Sequence, residues 1–130
     1  IAFCILFNIH GPGTLLCALG GIGSYAIYDL ALGLGLSTVW AFFWGTTLSA
    51  FYAEFMARLR RYPTISYLVV SIIPLIPGAG LYHTMCYAVD GSMALAATQG
   101  LLTAQTTGIM AASIILVSSI TKIIMSRKNI

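Results

Sequence analysis

IIPLIPGAGLY, residues 72–82, sets two prolines and two glycines (Pro74, Pro77, Gly78 and Gly80) inside a run that carries no charge from 62 to 89. Without them the run reads as a spanning helix, since about 20 mostly apolar residues cross the hydrocarbon core of a bilayer. Proline lacks a backbone N–H and its ring clashes with the preceding turn, so the helix must stop or bend here. In lipid the freed backbone groups find no water, and irregular backbone persists only where protein or a wet cavity satisfies it. If the segment begins near Thr64, a rise of 1.5 Å per residue puts 74–80 about 15–24 Å along it, near the bilayer midplane.

Two prolines and two glycines within seven residues favour a true break over a simple kink. The pattern predicts one half-helix ending near Ile76 and a second starting near Gly78–Gly80. Discontinuous helices at the midplane are a recurring way to build transporter sites. The positive end of the second half would face the midplane, its open N–H groups suited to a carboxylate. Tyr82 and Thr84, about one turn on, could add hydroxyls.

The rest of the chain agrees with a membrane setting. Of 130 residues, 59% are hydrophobic and only 7% charged, against about 25% charged in soluble domains. Residues 1–28, 30–53 and 91–121 are also free of Asp, Glu, Lys and Arg. The whole chain, 1–130, is expected to be a single transmembrane domain: an all-α, polytopic bundle of four to five spanning helices, the fourth broken at the Pro/Gly motif. The first apolar run ends before His10, too short to span; it reads as the end of a helix whose beginning is missing.

Punctuation sets the segments. Pro12 in "IHGPG" (9–13) ends one helix and can start the next. A second segment, the weakest crossing, runs from about Thr14 to Tyr28, and "DLALGLGL" (29–36) reads as a connector. Ser37 or Thr38 can cap a third segment that closes at "RLRRYP" (58–63). The fourth spans about 64–88, "VDGS" (89–92) is a turn, and the fifth runs from about Met93 to Lys122. Basic residues favour the cytoplasmic side. Arg58, Arg60 and Arg61 fall on one side with Lys122, Arg127 and Lys128, and Asp29 and Asp90 fall opposite. The expected location is a bacterial inner (plasma) membrane, with the C-terminus cytoplasmic. These two basic clusters are topology signals; no basic face interleaved with aromatics suggests nucleic acid.

Small residues recur every four positions in the third segment (Gly45, Ser49, Ala53, Ala57) and the fifth (Ala96, Gly100, Ala104, Gly108, Ala112). Such stripes let helices approach closely in lipid, within this chain and against a partner, a second copy included. On the fifth segment Gln99, Thr103 and Thr106 share one face at i, i+4, i+7. They either line a hydrophilic pathway or glue the bundle. Glu54 is the one acid inside a span; it invites a coupling role, but it also stands one turn before Arg58 in the favoured ion-pair order.

No cofactor or metal is expected. Cys4, Cys17 and Cys86 are scattered thiols, and His83-x-x-Cys86 supplies only half a zinc set. No GxSxG, HExxH or Walker pattern is present, and "GGIGSYA" (20–26) has no βαβ unit around it, so an enzyme is not expected.

Three stretches together resemble the threonine/serine exporter family, particularly its small-subunit type linked to succinate export. "IIPLIPGAGLYHTM" (72–85) is similar to a Pro-x-x-Pro-Gly-x-x-x-Tyr-x-x-Met region. "IAFCILFNIHGPGTLLCALGGIG" (1–23) resembles a Phe-x-x-x-Phe-Asn opening followed by a Cys-Ala-x-x-Gly helix. "AEFMARLRRYPTISYLV" (53–69) resembles an acidic–basic helix end before a Pro-Thr start. The similarity covers essentially the whole chain, in order. It implies export of small carboxylates, threonine and serine or dicarboxylates, from the bacterial cytoplasm. It also implies a larger exporter subunit as partner. One departure is the basic-free "IHGPGT", where relatives often carry Arg, so no positive charge there attracts substrate.

Overall fold

Helix ends follow from a few residues able to turn the chain back. In a computed structural model, which describes residues 2–9, 11–61 and 63–128, six α-helices and no strand are present among the described residues. They are α1 (Ala2–Leu6), α2 (Pro12–Gly33), α3 (Thr38–Arg60), α4 (Thr64–Ile72), α5 (Gly78–Val89) and α6 (Met93–Lys128). His10 and Tyr62, which belong to the breaks read at 9–13 and 58–63, lie outside the described residues.

The second segment is longer than its sequence suggested. Pro12 opens α2 in the first turn, and the helix then runs 22 residues, about 33 Å, straight through Asp29. What stops it is Gly35, at φ 82°. With Gly35 left-handed, its N–H reaches Leu32 O at 3.0 Å and that of Leu36 reaches Ala31 O at 3.1 Å, a Schellman cap. The helix therefore has full spanning length, and the expectation of a short, weak crossing is corrected. The glycine-containing run from Asp29 reads as a connector, yet α2 continues through it to Gly33, and a charge near a helix end costs little once it reaches the interface. "VDGS" ends α5 in the same way: the N–H of Ser92 bonds Tyr87 O at 2.9 Å.

The other ends shift by less. Ser37 sits at the N-cap of α3, though its hydroxyl makes no capping bond. Helix α3 ends at Arg60, two residues beyond the expected Arg58, and is closed by Arg61, left-handed at φ 56°. Helix α6 continues past Lys122 to Lys128, 36 residues in all or about 54 Å, well beyond a hydrocarbon core of roughly 30 Å.

Helices α2 and α6 are long and apolar enough to cross a membrane, and the bent α4–α5 pair makes a third if it is one span. Helix α3 has the length, 23 residues, but not the apolarity. Five spans are thus more than the helices themselves establish.

Helix α3 is the hub, packed against α2, α4 and α6. Its small stripe lies buried as expected: Gly45, Ser49, Ala53 and Ala57 all face inward. A Cβ on Gly45 would come within 3.1 Å of Ser24 O and 3.2 Å of Leu75, so any larger residue would push these neighbours back by a few tenths of an ångström. One apolar cluster joins Cys4, Cys17, Ala53, Ala57, Tyr67 and Val70, and a second joins Phe42, Leu75 and Met110. Between them runs a polar seam in which the Ser24 and Ser49 hydroxyls meet closely, Ser24 Oγ also donating to Gly20 O at 2.6 Å.

The helix break and its cavity

Pro74 tightens the end of α4 into a 3₁₀ turn, Ile73–Leu75. Ile76 is extended (φ −60°, ψ 124°), as the residue before a proline prefers. Pro77, at φ −76°, ψ 55°, is the centre of an inverse γ-turn, with the Gly78 N–H bonded to Ile76 O at 2.7 Å. The two halves meet at 52°. The halves are nearly equal: Thr64–Leu75 and Gly78–Val89 hold twelve residues each, about 18–20 Å apiece. The break is therefore real, and it lies midway along the segment. The turn uses the Gly78 amide, and Leu81 N–H returns to Pro77 O at 3.2 Å. The amides of Ala79 and Gly80 are left as the open donors at the start of α5.

The break forms one wall of a cavity of about 290 Å³. Pro74, Leu75, Ile76, Pro77, Ala79 and Gly80 supply that wall, and α6 adds Gln99, Leu102, Thr103 and Thr106. Tyr25 and Tyr28 of α2 and Thr38 and Phe42 of α3 complete it. The face read from spacing alone, Gln99, Thr103 and Thr106, is thus brought against the Pro/Gly motif.

Of the other expected site residues, Gly78 does not line the cavity, and a Cβ there would meet nothing within 4 Å. Tyr82 is 66% exposed and its ring stands edge-on to His83, away from the cavity. Thr84 faces a neighbouring groove. Its hydroxyl donates to Gly80 O at 2.7 Å, and its methyl would lie 3.2 Å from a Cβ on Gly100. This contact mirrors the one at Gly80, where a Cβ would lie 2.5 Å from Thr103 Oγ1. Antiparallel α5 and α6 are thus joined by two reciprocal glycine–threonine contacts, Gly80 with Thr103 and Thr84 with Gly100.

Glu54 is also separate from the cavity. Its carboxylate accepts from Arg58 Nη2 at 2.8 Å, with its side chain 13% exposed. The i, i+4 ion pair read from the sequence is formed.

The residues that sequence reading missed are the aromatic ones. Tyr25 and Tyr28 have ring centroids 5.8 Å apart, and Tyr28 and Phe42 4.8 Å. In a chain with 12% aromatic residues, nothing in their spacing set them apart from lipid-facing rings. Only the close α2–α3 packing around Gly45 and Ser24 turns them toward the break.

The small stripe of α6 divides. Ala96 is buried and Gly100 is packed by Thr84, but Ala104, Gly108 and Ala112 are exposed and a Cβ on Gly108 would meet nothing within 4 Å.

Neither the curated proteins nor the solved structures compared with the chain contain a match. The sequence pattern of a family described as threonine/serine exporter, ThrE, matches residues 1–120, nearly the whole length, including the broken segment and both helices that complete its cavity. The chain belongs to the threonine/serine exporter family of membrane proteins.

Proposed function

We propose that the chain is the membrane subunit of a bacterial exporter for small carboxylates, threonine and serine or a dicarboxylate such as succinate, and that it acts with a larger membrane subunit of the same family. The observation that carries this reading is the cavity at the break. A mid-segment discontinuity with open amides at Ala79 and Gly80 lies against the Gln99, Thr103 and Thr106 face of α6. The amides and the helix dipole suit a carboxylate, while Gln99, Thr103 and Thr106 supply neutral polar contacts. Gly78, Tyr82 and Thr84 act on this site indirectly, by shaping α5. Glu54 would couple transport to protons only by leaving Arg58. The exposed Ala104, Gly108 and Ala112 are the surface offered to the larger subunit, since small residues pack helices in lipid. The reading places the C-terminus in the cytoplasm of an inner-membrane protein.

Efflux of serine, threonine and succinate from cells coexpressing both subunits tests it. Gln99→Leu combined with Thr103→Val removes two of the three polar side chains that α6 gives the cavity, at nearly constant volume. It should abolish efflux while the larger subunit still copurifies. Efflux that survives the double substitution refutes the cavity as the pathway. The exposed stripe on α6 also supports a second reading, a non-transporting scaffold. Gly108→Leu should then disrupt the complex, and efflux by the larger subunit alone would favour the scaffold.

A further inference from the structure

The most buried polar side chains of the cavity, Thr103 and Thr106, offer a ligand acceptors. Thr103 is 5% exposed and Thr106 3%, and each has already committed its single hydroxyl proton. Thr103 Oγ1 donates to Gln99 O and Thr106 Oγ1 to Thr103 O, both at 2.8 Å. A hydroxyl has one proton and two lone pairs, so what these side chains retain for a ligand is acceptor capacity. The aromatic wall adds to it, because Tyr25, Tyr28 and Phe42 form a continuous run of rings, 5.8 and 4.8 Å between centroids. Ring faces are electron-rich and attract cations within about 6 Å. No Asp, Glu, Lys, Arg or His lines the cavity among the described residues. A second carboxylate would find no cationic side chain there, and an ammonium would find hydroxyl acceptors and aromatic rings.

We infer that Tyr28 and Phe42, with the Thr103 and Thr106 hydroxyls, form an ammonium-recognition subsite that selects substrates carrying a protonated primary amine over deaminated or dicarboxylate analogues of the same size. The inference rests on the transport reading above. It divides the ligand between two walls: carboxylate to the amides of α5, ammonium to the rings and hydroxyls of α2, α3 and α6.

The test compares threonine with 2,3-dihydroxybutyrate, in which a hydroxyl replaces the ammonium. Transport of both is measured in everted membrane vesicles from cells coexpressing the two subunits. The unsubstituted protein should move threonine at least tenfold faster. Tyr28→Leu and Phe42→Leu should each bring that ratio near one by slowing threonine alone, whereas Tyr28→Phe, which keeps the ring, should preserve it. Transport of the dihydroxy acid reports whether each variant is folded. Equal rates for the two substrates in the unsubstituted protein would overturn the inference. So would a proportional loss of both in Tyr28→Leu and Phe42→Leu, which marks the rings as packing only. If the unsubstituted protein moves neither above background, the transport reading itself is lost; if it moves both equally, transport stands and the ammonium subsite does not.

Discussion

A single methyl group at Gly80 tests the geometry on which the break depends. The Cβ of a Gly80→Ala variant would lie 2.5 Å from Thr103 Oγ1 and 3.4 Å from both Thr103 Cβ and Cγ2. Ordinary contacts are about 3.5 Å, so α5 and α6 must separate locally by roughly 1 Å or Thr103 must turn. Turning offers little relief, because it breaks the hydroxyl bond to Gln99 O and can bring the methyl to the same place. Overpacking of this kind costs about 1–3 kcal/mol. Gly78→Ala is the internal control: two residues earlier, in the same first turn, its Cβ meets nothing within 4 Å. There, reduced freedom of the unfolded chain should stabilise by about 0.4–1 kcal/mol. Unfolding of the purified protein in mixed detergent and SDS micelles should thus rank Gly78→Ala at or above the unsubstituted chain and Gly80→Ala clearly below it. Thr103→Ala should recover most of the Gly80→Ala loss, because it removes both atoms beyond Cβ; the coupling energy from a double-mutant cycle should exceed about 0.5 kcal/mol. If the two alanine variants unfold together, the α5–α6 contact is not as described, and the cavity wall that Gly80 and Thr103 share goes with it.

Three further outcomes are expected. Gly20→Ala puts a Cβ against Ser71 Oγ and 2.7 Å from the Tyr52 ring, while the Tyr52 hydroxyl is tied to Leu16 O at 2.6 Å; unfolding in micelles should show a loss of about 1–3 kcal/mol, and an unchanged midpoint would contradict the α2–α3–α4 packing. Glu54→Gln should cost less than about 0.5 kcal/mol, as for other i, i+4 pairs. The pH profile of efflux decides whether Glu54 couples transport: a profile identical to that of the unsubstituted protein removes the idea. Ser92→Cys, in a chain with Cys86 replaced by Ala, should react with an impermeant thiol reagent from outside the cell if α4–α5 crosses the membrane once. Labelling only from the cytoplasmic side would instead make the bent pair a re-entrant loop.

How much was legible in the sequence depended on which force set each feature. The break at 74–80 could be read because proline and glycine act locally, through a missing N–H and a permissive backbone, wherever they lie. The Gln99, Thr103, Thr106 face followed from helical period. Helix ends are less legible: the glycine-containing run from Asp29 reads as connector throughout, whereas α2 continues to Gly33 and only Gly35 stops it, and α6 runs past Lys122 to Lys128. Charge marks the interface with water, and glycine marks the end of hydrogen bonding; in a membrane chain these are different boundaries. The aromatic wall could not be read, because Tyr28 and Phe42 meet only when two helices are already packed. Tyr82 and Thr84 were assigned to the site by proximity in sequence, yet α5 turns them onto other faces.

Helix α3 shows why hydropathy undercounts the helices of such a bundle. It is the least apolar of the long segments at its centre, with Thr46, Thr47, Ser49 and Tyr52 in its middle turns, yet it packs against α2, α4 and α6. Three of these hydroxyls have protein partners: Thr47 Oγ1 donates to Phe43 O and lies 2.7 Å from Ser113 Oγ, Ser49 meets Ser24, and Tyr52 donates to Leu16 O, while Thr46 Oγ1 is buried without one among the described residues. By contrast α5 has no buried residue, and the exposed residues of α6 include Leu95, Leu101, Ile115 and Ile123 beside Thr98, Gln105 and Thr107. A helix enclosed by others is released from the demand for apolar residues, and it can instead carry the small and hydroxyl-bearing ones that close packing needs. That close packing is what brings Phe42 of α3 beside Tyr28 of α2 at the edge of the broken segment, so a helix rich in hydroxyls completes the aromatic wall of the cavity.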